Sequence, residues 1–432
     1  LPYENDGLMK WCLLSPPRHI PDQISVELPV SKSLYNRLLI IKALAADSIP
    51  LKSGPRPSDS IFLERALDQV KSGATTIKTG PGGTTFRFLL AYLAISGYEG
   101  TVQASGSMLH RPVEPLIDAL NALGANIRYV GAKHGPSIIM SKSKLVGKRV
   151  KIDGSISSQF ISALLMIGPY LPEGLELQIQ KAIVSGSYIQ MTIQLMRQFG
   201  IQVQQNGDRL FVSQGGYRWP SQKQIQVESD WTGASYFWMH SHALGIQEMH
   251  LKGLHSKSLQ GDALLADWVK QQGGDSFFSD QGWTFTHTKA TSPFFGHEFE
   301  GLRIPDLAMS HISLYAFFGY SISYSGLTTL FQKESNRIDA LQREWAKWGA
   351  SLSSDSEGRI HLAPSHKKMN TEWPLLFHTY EDHRIAMCLS VLASRGEIWI
   401  ENPEVVEKSF PNFWQELEKL GYRIEFNTSP KF

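Results

Sequence analysis

Seven basic residues of this chain stand in or beside glycine, serine or proline punctuation: Lys32, Arg37, Arg111, Lys333, Arg337, Arg384 and Lys408. Six segments of related character look like helix starts: Ser31-Lys32-Ser33, Gly82-Gly83-Thr84, Ser157-Ser158-Gln159, Asp230-Trp231-Thr232, Pro305-Asp306 and Asp382-His383-Arg384. Serine, threonine, aspartate and glycine are good helix caps. A helix N-terminus leaves backbone N–H groups unpaired and carries about half a positive charge, so it attracts phosphate and carboxylate groups. Six such ends meeting at one cleft, with basic side chains beside them, would trap anions. Each segment alone is unremarkable. A lone Ser-Lys-Ser is an ordinary cap, and Lys333-Glu334-x-x-Arg337 by itself is a salt-bridged helix turn. Recurrence in phase is what makes them a candidate site.

The elements that would position these residues also repeat. Amphipathic stretches at 116–124, 193–200, 265–273, 341–349 and 413–421 each end in glycine and lead into a short strand-like run. Glycine enters the left-handed conformation without steric cost, as a helix C-terminus requires. The closing glycines lie 76, 73, 76 and 72 residues apart, and a similar stretch ends at Gly73, 51 residues before Gly124. Unrelated loops would rarely keep that period, so the chain divides into six units. The first lacks about two strands between Gly73 and Gly80. Stretches 160–167 and 385–393 are apolar nearly all round and should be buried. Each unit then holds one buried helix, one surface helix and strands between them. Three units per lobe predicts a two-lobed α/β protein, with residues 1–30 and 230–432 forming a lobe completed by both chain ends. Residues 31–229 form the inserted lobe, and the crossing falls near 227–230. Asn206-Gly207 and Gly215-Gly216 read as hairpin turns.

The bulk properties narrow the function. A chain of 432 residues exceeds one ordinary core, and 42% hydrophobic with 19% charged residues is a compact globular composition. A formal net charge of +2 argues against a nucleic-acid binder, so basic character must be local. Two cysteines, Cys12 and Cys388, cannot build a disulfide framework or a cysteine-rich zinc site. They fit a reducing compartment, and the cytoplasm is the expected location. Apolar runs are too short to span a bilayer. The first residues, with Glu4 and Asp6, lack the apolar core of a secretion signal. A start at Leu1 instead of Met is compatible with removal of an earlier leader or tag. There is no Walker lysine loop and no dinucleotide fingerprint. His240, His242, His250 and His255 cluster in sequence, but without an acidic ligand pattern, so they are expected to be satisfied core or surface histidines and no metal site is expected.

Taken in order, the motifs resemble the 5-enolpyruvylshikimate-3-phosphate synthase family of enolpyruvyl transferases. Ser31-Lys32-Ser33-x-x-Asn36-Arg37 is similar to its first substrate motif, Gly83-Thr84-x-x-Arg87 to its phosphoenolpyruvate loop, and Arg111-Pro112 to the arginine that follows. Ser157-Ser158-Gln159-Phe160, Ser185-x-x-Tyr188, Glu228-x-Asp230, Asp306, Lys333-Glu334-x-x-Arg337, Asp382-His383-Arg384 and Lys408-x-Phe410-Pro411 complete the series. The resemblance implies two domains, each of three strand–helix units around buried parallel helices, with the site between them. It implies addition of a shikimate 3-phosphate hydroxyl to phosphoenolpyruvate and elimination of phosphate, with no metal or organic cofactor, and a monomer with no nucleic-acid or membrane partner. Carried over by residue, Asp306 is the base, Glu334 the acid and Lys32 the third catalytic group. Lys32, Ser33, Arg37, Ser157, Ser158, Gln159, Ser185, Tyr188, Asp306 and Lys333 are expected around shikimate 3-phosphate. Lys32, Gly83, Arg111, Gln159, Arg337, Arg384 and Lys408 are expected around phosphoenolpyruvate. His383 is expected to position its neighbours.

Some positions depart from the family pattern. Pro81 stands where an asparagine is usual and lacks both amide side chain and backbone N–H. Phe88 replaces a common proline, Phe331 an arginine, and Thr329 an asparagine found in some members. Ser185-Gly186-Ser187-Tyr188 lacks a lysine–proline centre. The sister transferase acting on a nucleotide sugar carries lysine–asparagine at the first motif and a loop cysteine. Lys32-Ser33 and the positions of Cys12 and Cys388 match neither. Cations gathered at one cleft should repel one another, so the lobes are expected to close around bound anions.

Overall fold

A computed structural model describes residues 10–45, 50–130, 137–219, 224–286, 297–364, 372–427 and 429–430, so Glu4 and Asp6 lie outside the described residues. Buried apolar side chains gather in two clusters. One runs from Val30 to Val227. The other takes Cys12, Leu14, Val26 and Leu28 from near the N-terminus and resumes from Trp231 to Ile424.

Helix Leu307–Phe318 shows why such segments sit at a lobe centre: every residue from 307 to 317 is buried. A helix apolar on all sides has no face to offer water, and each large apolar side chain it buries contributes about 1.5–3 kcal/mol. Lys32–Ala45, Gly83–Ser96 and Ser158–Ile167 pack on one another in one lobe. In the other, Leu307–Phe318 touches both Trp231–Leu244 and His383–Leu389. The last of these is shorter than expected, continuing as the 3-10 turn Ser390–Ser394.

Around each trio stand sheets of one plan. Among the described residues there are five four-stranded sheets, and in each a parallel pair is extended by two antiparallel strands. In four of the five a buried helix joins the parallel strands directly, and in all five an amphipathic helix leads into the antiparallel strands. The first unit is the short one: among the described residues Leu51–Lys52 pairs only with Ile225–Gln226, and helix Ser58–Lys71 runs directly to Thr76–Lys78 of the next sheet. In the final sheet Trp11–Ser15 lies between Ile398–Glu401 and Arg423–Asn427, so strands from near both chain ends complete it.

Two strands are exchanged where the chain crosses between lobes. Gln23–Val26 precedes helix Lys32–Ala45 but pairs in parallel with Glu248–Lys252 of the other lobe. Ile225–Gln226 precedes helix Trp231–Leu244 but returns to Leu51–Lys52. The crossing segments meet at an antiparallel bridge between Val30 and Ser229.

The six closing glycines, Gly73, Gly124, Gly200, Gly273, Gly349 and Gly421, have φ between 76° and 110°. A side chain would be strained at each, which is why the period is marked by glycine. Asn206-Gly207 turns the hairpin from Val203–Asn206 to Arg209–Val212. Gly215-Gly216 does not: it lies in irregular chain with the Gly215 N–H on the Pro169 carbonyl, and no partner strand for it follows among the described residues.

Candidate active site

All six buried helices start at one cleft between the lobes. Their first turns are built differently. Ser157, Asp230 and Asp382 cap their helices, accepting from the N–H groups of Gln159, Gly233 and Arg384. Asp306 stands at the same position of its helix but caps nothing. Its carboxylate is turned into the cleft instead, where it accepts from Arg337 Nη1 at 2.9 Å and from the Tyr188 hydroxyl at 2.7 Å.

Of the expected residues, Lys32, Ser33, Arg37, Gly83, Arg111, Ser157, Ser158, Gln159, Ser185, Tyr188, Asp306, Lys333, Glu334, Arg337 and Arg384 line this cleft. Lys408 reaches the same place through its ammonium, 3.3 Å from Glu334 Oε1. The five cations Lys32, Arg111, Arg337, Arg384 and Lys408 therefore do converge with Asp306 and Glu334.

They are not bare. Arg337, 1% exposed, donates to Asp306, to Glu334 Oε2 at 2.8 Å and to Asp382 Oδ2 at 2.8 Å. Glu334 also faces Arg111 Nη1 at 3.5 Å, and Arg384 Nη2 lies 3.3 Å from Asp306 Oδ2. Lys32 is paired with Asp59 at 3.0 Å. Arg37 spends its donors behind the wall, on the Ser33 and Tyr188 carbonyls and the Ser162 and Thr192 hydroxyls, with its guanidinium 5.1 Å over the Phe88 ring. The lobes touch across the cleft through Tyr188–Asp306, Arg111–Glu334, a bond from Lys408 Nζ to the Ser107 hydroxyl at 3.3 Å and a bond from Ser187 to the Arg303 carbonyl at 2.6 Å. Cation repulsion between the lobes is thus offset by carboxylates, a correction to the expectation from cations alone.

These pairings set protonation. Burial opposes ionisation of Asp306, but Arg384, Lys333 and Arg337 outweigh it and hold its carboxyl well below the usual range. Burial likewise opposes the charge on Glu334; Lys408, Arg111 and Arg337 prevail, and its carboxyl also sits low. Burial keeps His383 neutral, helped by Lys32 and Arg384.

Asp262 differs. Burial first, then the charge of Asp306, pushes its carboxyl up to about 7 despite the hydrogen bond from Thr232. The folded state therefore holds a proton there that an unfolded chain releases near pH 4, so this contribution to stability is complete below that pH and is lost as pH rises through 7. Between pH 5 and 7 stability should fall from this group by at most about 1.4 kcal/mol per pH unit. Asp262→Asn should flatten the slope in denaturant titrations, and an unchanged slope would contradict the assignment.

Asp59, Arg87, Gln260 and Asp262 line the cleft without having been expected as site residues. Arg87 had a signal. It is a single charge in the otherwise apolar helix Gly83–Ser96, and a buried charge must find partners. It donates to Gln159 Oε1 and to the Pro112 carbonyl, both at 2.6 Å, tying two expected motifs together. Asp59 looks in sequence like an ordinary first-turn acid. Pro81 is buried outside the cleft lining. Phe331 packs on the second lobe's core and lines an adjoining groove. The histidines form no shared site: His240 bonds Tyr422 and Ser390, and His250 bonds Thr284. Among the described residues no group of three or more His, Cys, Asp or Glu could hold a metal ion, and no helix is long and apolar enough to cross a membrane.

This two-lobed architecture is that of the enolpyruvyl transferases. An EPSP synthase from Acinetobacter baumannii superposes with a TM-score of 0.71 at 20% identity, covering 97% of this chain and 100% of its own. The enolpyruvyl transferase NikO from Streptomyces tendae gives 0.70 at 14% identity, over 98% and 100%. The family model for EPSP synthase (3-phosphoshikimate 1-carboxyvinyltransferase) matches residues 56–417. A 3-phosphoshikimate 1-carboxyvinyltransferase of Bacteroides fragilis strain YCH46 is 34% identical over 416 residues, covering 96% of this chain and 98% of that protein. One from Pseudoalteromonas translucida is 32% identical over 420 residues, covering 92% and 96%. The chain belongs to the EPSP synthase family. Its activity is transfer of the enolpyruvyl group of phosphoenolpyruvate to shikimate 3-phosphate, in the shikimate pathway that leads to aromatic amino acids.

Proposed function

We propose that Asp306 and Glu334, bridged by the single guanidinium of Arg337, are the base and acid of an addition–elimination reaction, with Lys32 as the third catalytic group. The observation that carries this reading is the shared bridge: both carboxylates lie within 2.9 Å of Arg337, in a cleft walled by cations and helix N-termini. Asp306, held ionised, takes the hydroxyl proton of shikimate 3-phosphate as its oxygen attacks the central carbon of phosphoenolpyruvate. Glu334 supplies a proton to the methylene carbon, giving a tetrahedral adduct. In the return, the methyl group gives a proton back to Glu334, the carbon–oxygen bond to phosphate breaks, and the proton on Asp306 leaves with phosphate. Glu334 is ionised while Lys408, Arg111 and Arg337 face it alone. A bound phosphate and carboxylate would draw those cations off and let its pKa rise.

Ser33, Arg37, Ser157, Ser158, Ser185, Tyr188 and Lys333 are assigned to shikimate 3-phosphate; Gly83, Arg111, Arg337, Arg384 and Lys408 to phosphoenolpyruvate; and Lys32 and Gln159 to both. A Cβ on Gly83 would lie 2.6 Å from Arg111 Nη1, so Gly83→Ala displaces a movable guanidinium and leaves the backbone in place. The Michaelis constant for phosphoenolpyruvate should rise about tenfold, equivalent to about 1.4 kcal/mol. Arg111→Ala should act in the same direction more strongly, and an unchanged constant in both variants would contradict the placement. The reading also includes a monomer in the cytoplasm, divided into residues 31–229 and residues 1–30 with 230–432, a division that rests on the two separate cores.

Turnover in deuterium oxide tests the mechanism. The adduct's methyl group gains one deuteron and can return a proton, so deuterium should appear in the methylene of the product. A product free of deuterium would rule out protonation at that carbon.

A further inference from the structure

Five non-glycine residues among those described have positive φ, and two of them, Tyr380 at 54° and Glu381 at 56°, are consecutive. They form the turn immediately before the helix start that carries Asp382, His383 and Arg384 into the cleft. Side chains adopt that left-handed region at a cost of order 1–3 kcal/mol each, and only where the surroundings enforce it. Here the surroundings are helix Arg337–Trp348, which grips the segment at two levels. At its first residue, Arg337 Nε bonds Asp382 Oδ2 at 2.8 Å. Two turns further on, Glu344, 1% exposed, accepts from the Tyr380 hydroxyl at 2.7 Å and from the His378 backbone N–H at 3.1 Å. Lys347 Nζ completes the second grip, donating to Glu344 at 2.5 Å and to the Leu376 carbonyl at 2.8 Å.

We infer that Glu344 and Tyr380 are positioning residues for the reaction: with Lys347 they hold the strained turn at 380–381 and so fix where Arg384 and Asp382 stand. Neither lines the cleft. Their effect passes through the backbone to Arg384, whose guanidinium lies 3.3 Å from Asp306 Oδ2, and through Asp382 to Arg337. A buried carboxylate satisfied by an ammonium, a phenol and a backbone N–H does not rotate freely, so the turn it holds has one conformation to offer. Released, the segment would relax toward ordinary φ values and carry Arg384 away from the cleft. This inference rests on the assignment of Arg384 to phosphoenolpyruvate.

Tyr380→Phe removes one hydrogen bond from a half-buried side chain, and Glu344→Gln removes the charge that gathers all three donors. Both are measured by phosphate release, varying each substrate in turn, alongside melting temperature. The Michaelis constant for phosphoenolpyruvate should rise about fivefold in Tyr380→Phe, the factor expected of one lost hydrogen bond. It should rise further in Glu344→Gln, while that for shikimate 3-phosphate stays within about twofold in both. The double variant should be no worse than Glu344→Gln alone, since the phenol acts through that carboxylate. A merely structural role would lower the melting temperature and leave both Michaelis constants unchanged, which overturns the inference. Equal rises for the two substrates would overturn it as well. If Glu344→Gln does not fold, Tyr380→Phe decides the matter by the same comparison. Titration of Arg384→Lys with phosphoenolpyruvate separates the two readings. A weakened complex there with unaltered Tyr380→Phe kinetics refutes the clamp alone, and full affinity refutes the assignment of Arg384 beneath it.

Discussion

Glu334→Gln and Asp306→Ala should each lower kcat by about 10²- to 10⁴-fold, the range a general acid or base contributes, while circular dichroism of both variants matches that of the parent. Glutamine keeps the shape and one acceptor of Glu334 but cannot deliver a proton to carbon. Its loss should therefore appear in kcat more than in either Michaelis constant. Asp306→Ala removes the acceptor for the substrate hydroxyl and also the partner of Tyr188 across the cleft, so binding of shikimate 3-phosphate should weaken as well. Steady-state rates checked by single-turnover quench will separate the two effects. Variants that both retain parental kcat would remove the acid and base from the mechanism.

The second large effect is expected at Arg337. Three carboxylates, on Asp306, Glu334 and Asp382, share its guanidinium, and both Asp382 and Arg337 are buried. Replacement by methionine fills similar space but leaves those carboxylates facing each other without their common counter-ion. Removing one partner from a buried ion pair typically costs about 3–5 kcal/mol. Arg337→Met should accordingly lose that much stability in denaturant titrations at pH 7 and fall to background activity. Acidification should recover part of the loss, because protonating the abandoned carboxylates relieves their repulsion. A variant with unchanged stability at neutral pH would mean that the three carboxylates find other partners at no cost.

The frame of this molecule was legible where backbone geometry forces a residue type. A helix that must turn sharply at its end takes glycine, so Gly124, Gly200, Gly273, Gly349 and Gly421 mark the units in the sequence itself, and each has positive φ. Helices apolar on every side announce that they are buried. Lys32 and Arg384 were legible because they sit at the starts of those helices, and the other basic residues of the site because they stand in the ordered motifs. Their counter-ions were not. Asp59 lies in the first turn of a helix with no motif, 27 residues from Lys32, so that pairing leaves no local pattern, and the buried Asp262 in a four-residue 3-10 turn leaves none either. The exchange of Gln23–Val26 and Ile225–Gln226 between lobes was equally hidden, since strands of four and two residues carry too little periodicity to show their partners. Gly215-Gly216 shows the opposite failure: a turn-like dipeptide with no second strand beside it forms no hairpin.

Release of inorganic phosphate from phosphoenolpyruvate, measured with purified protein and no added metal, tests the account most directly. With shikimate 3-phosphate as acceptor, release should be stoichiometric with product and should vanish when either substrate is withheld; a nucleotide sugar in its place should give none. Stoichiometric binding of both anions without release, or release that follows the nucleotide sugar, would contradict the chemistry assigned to Asp306, Glu334 and the cations around them.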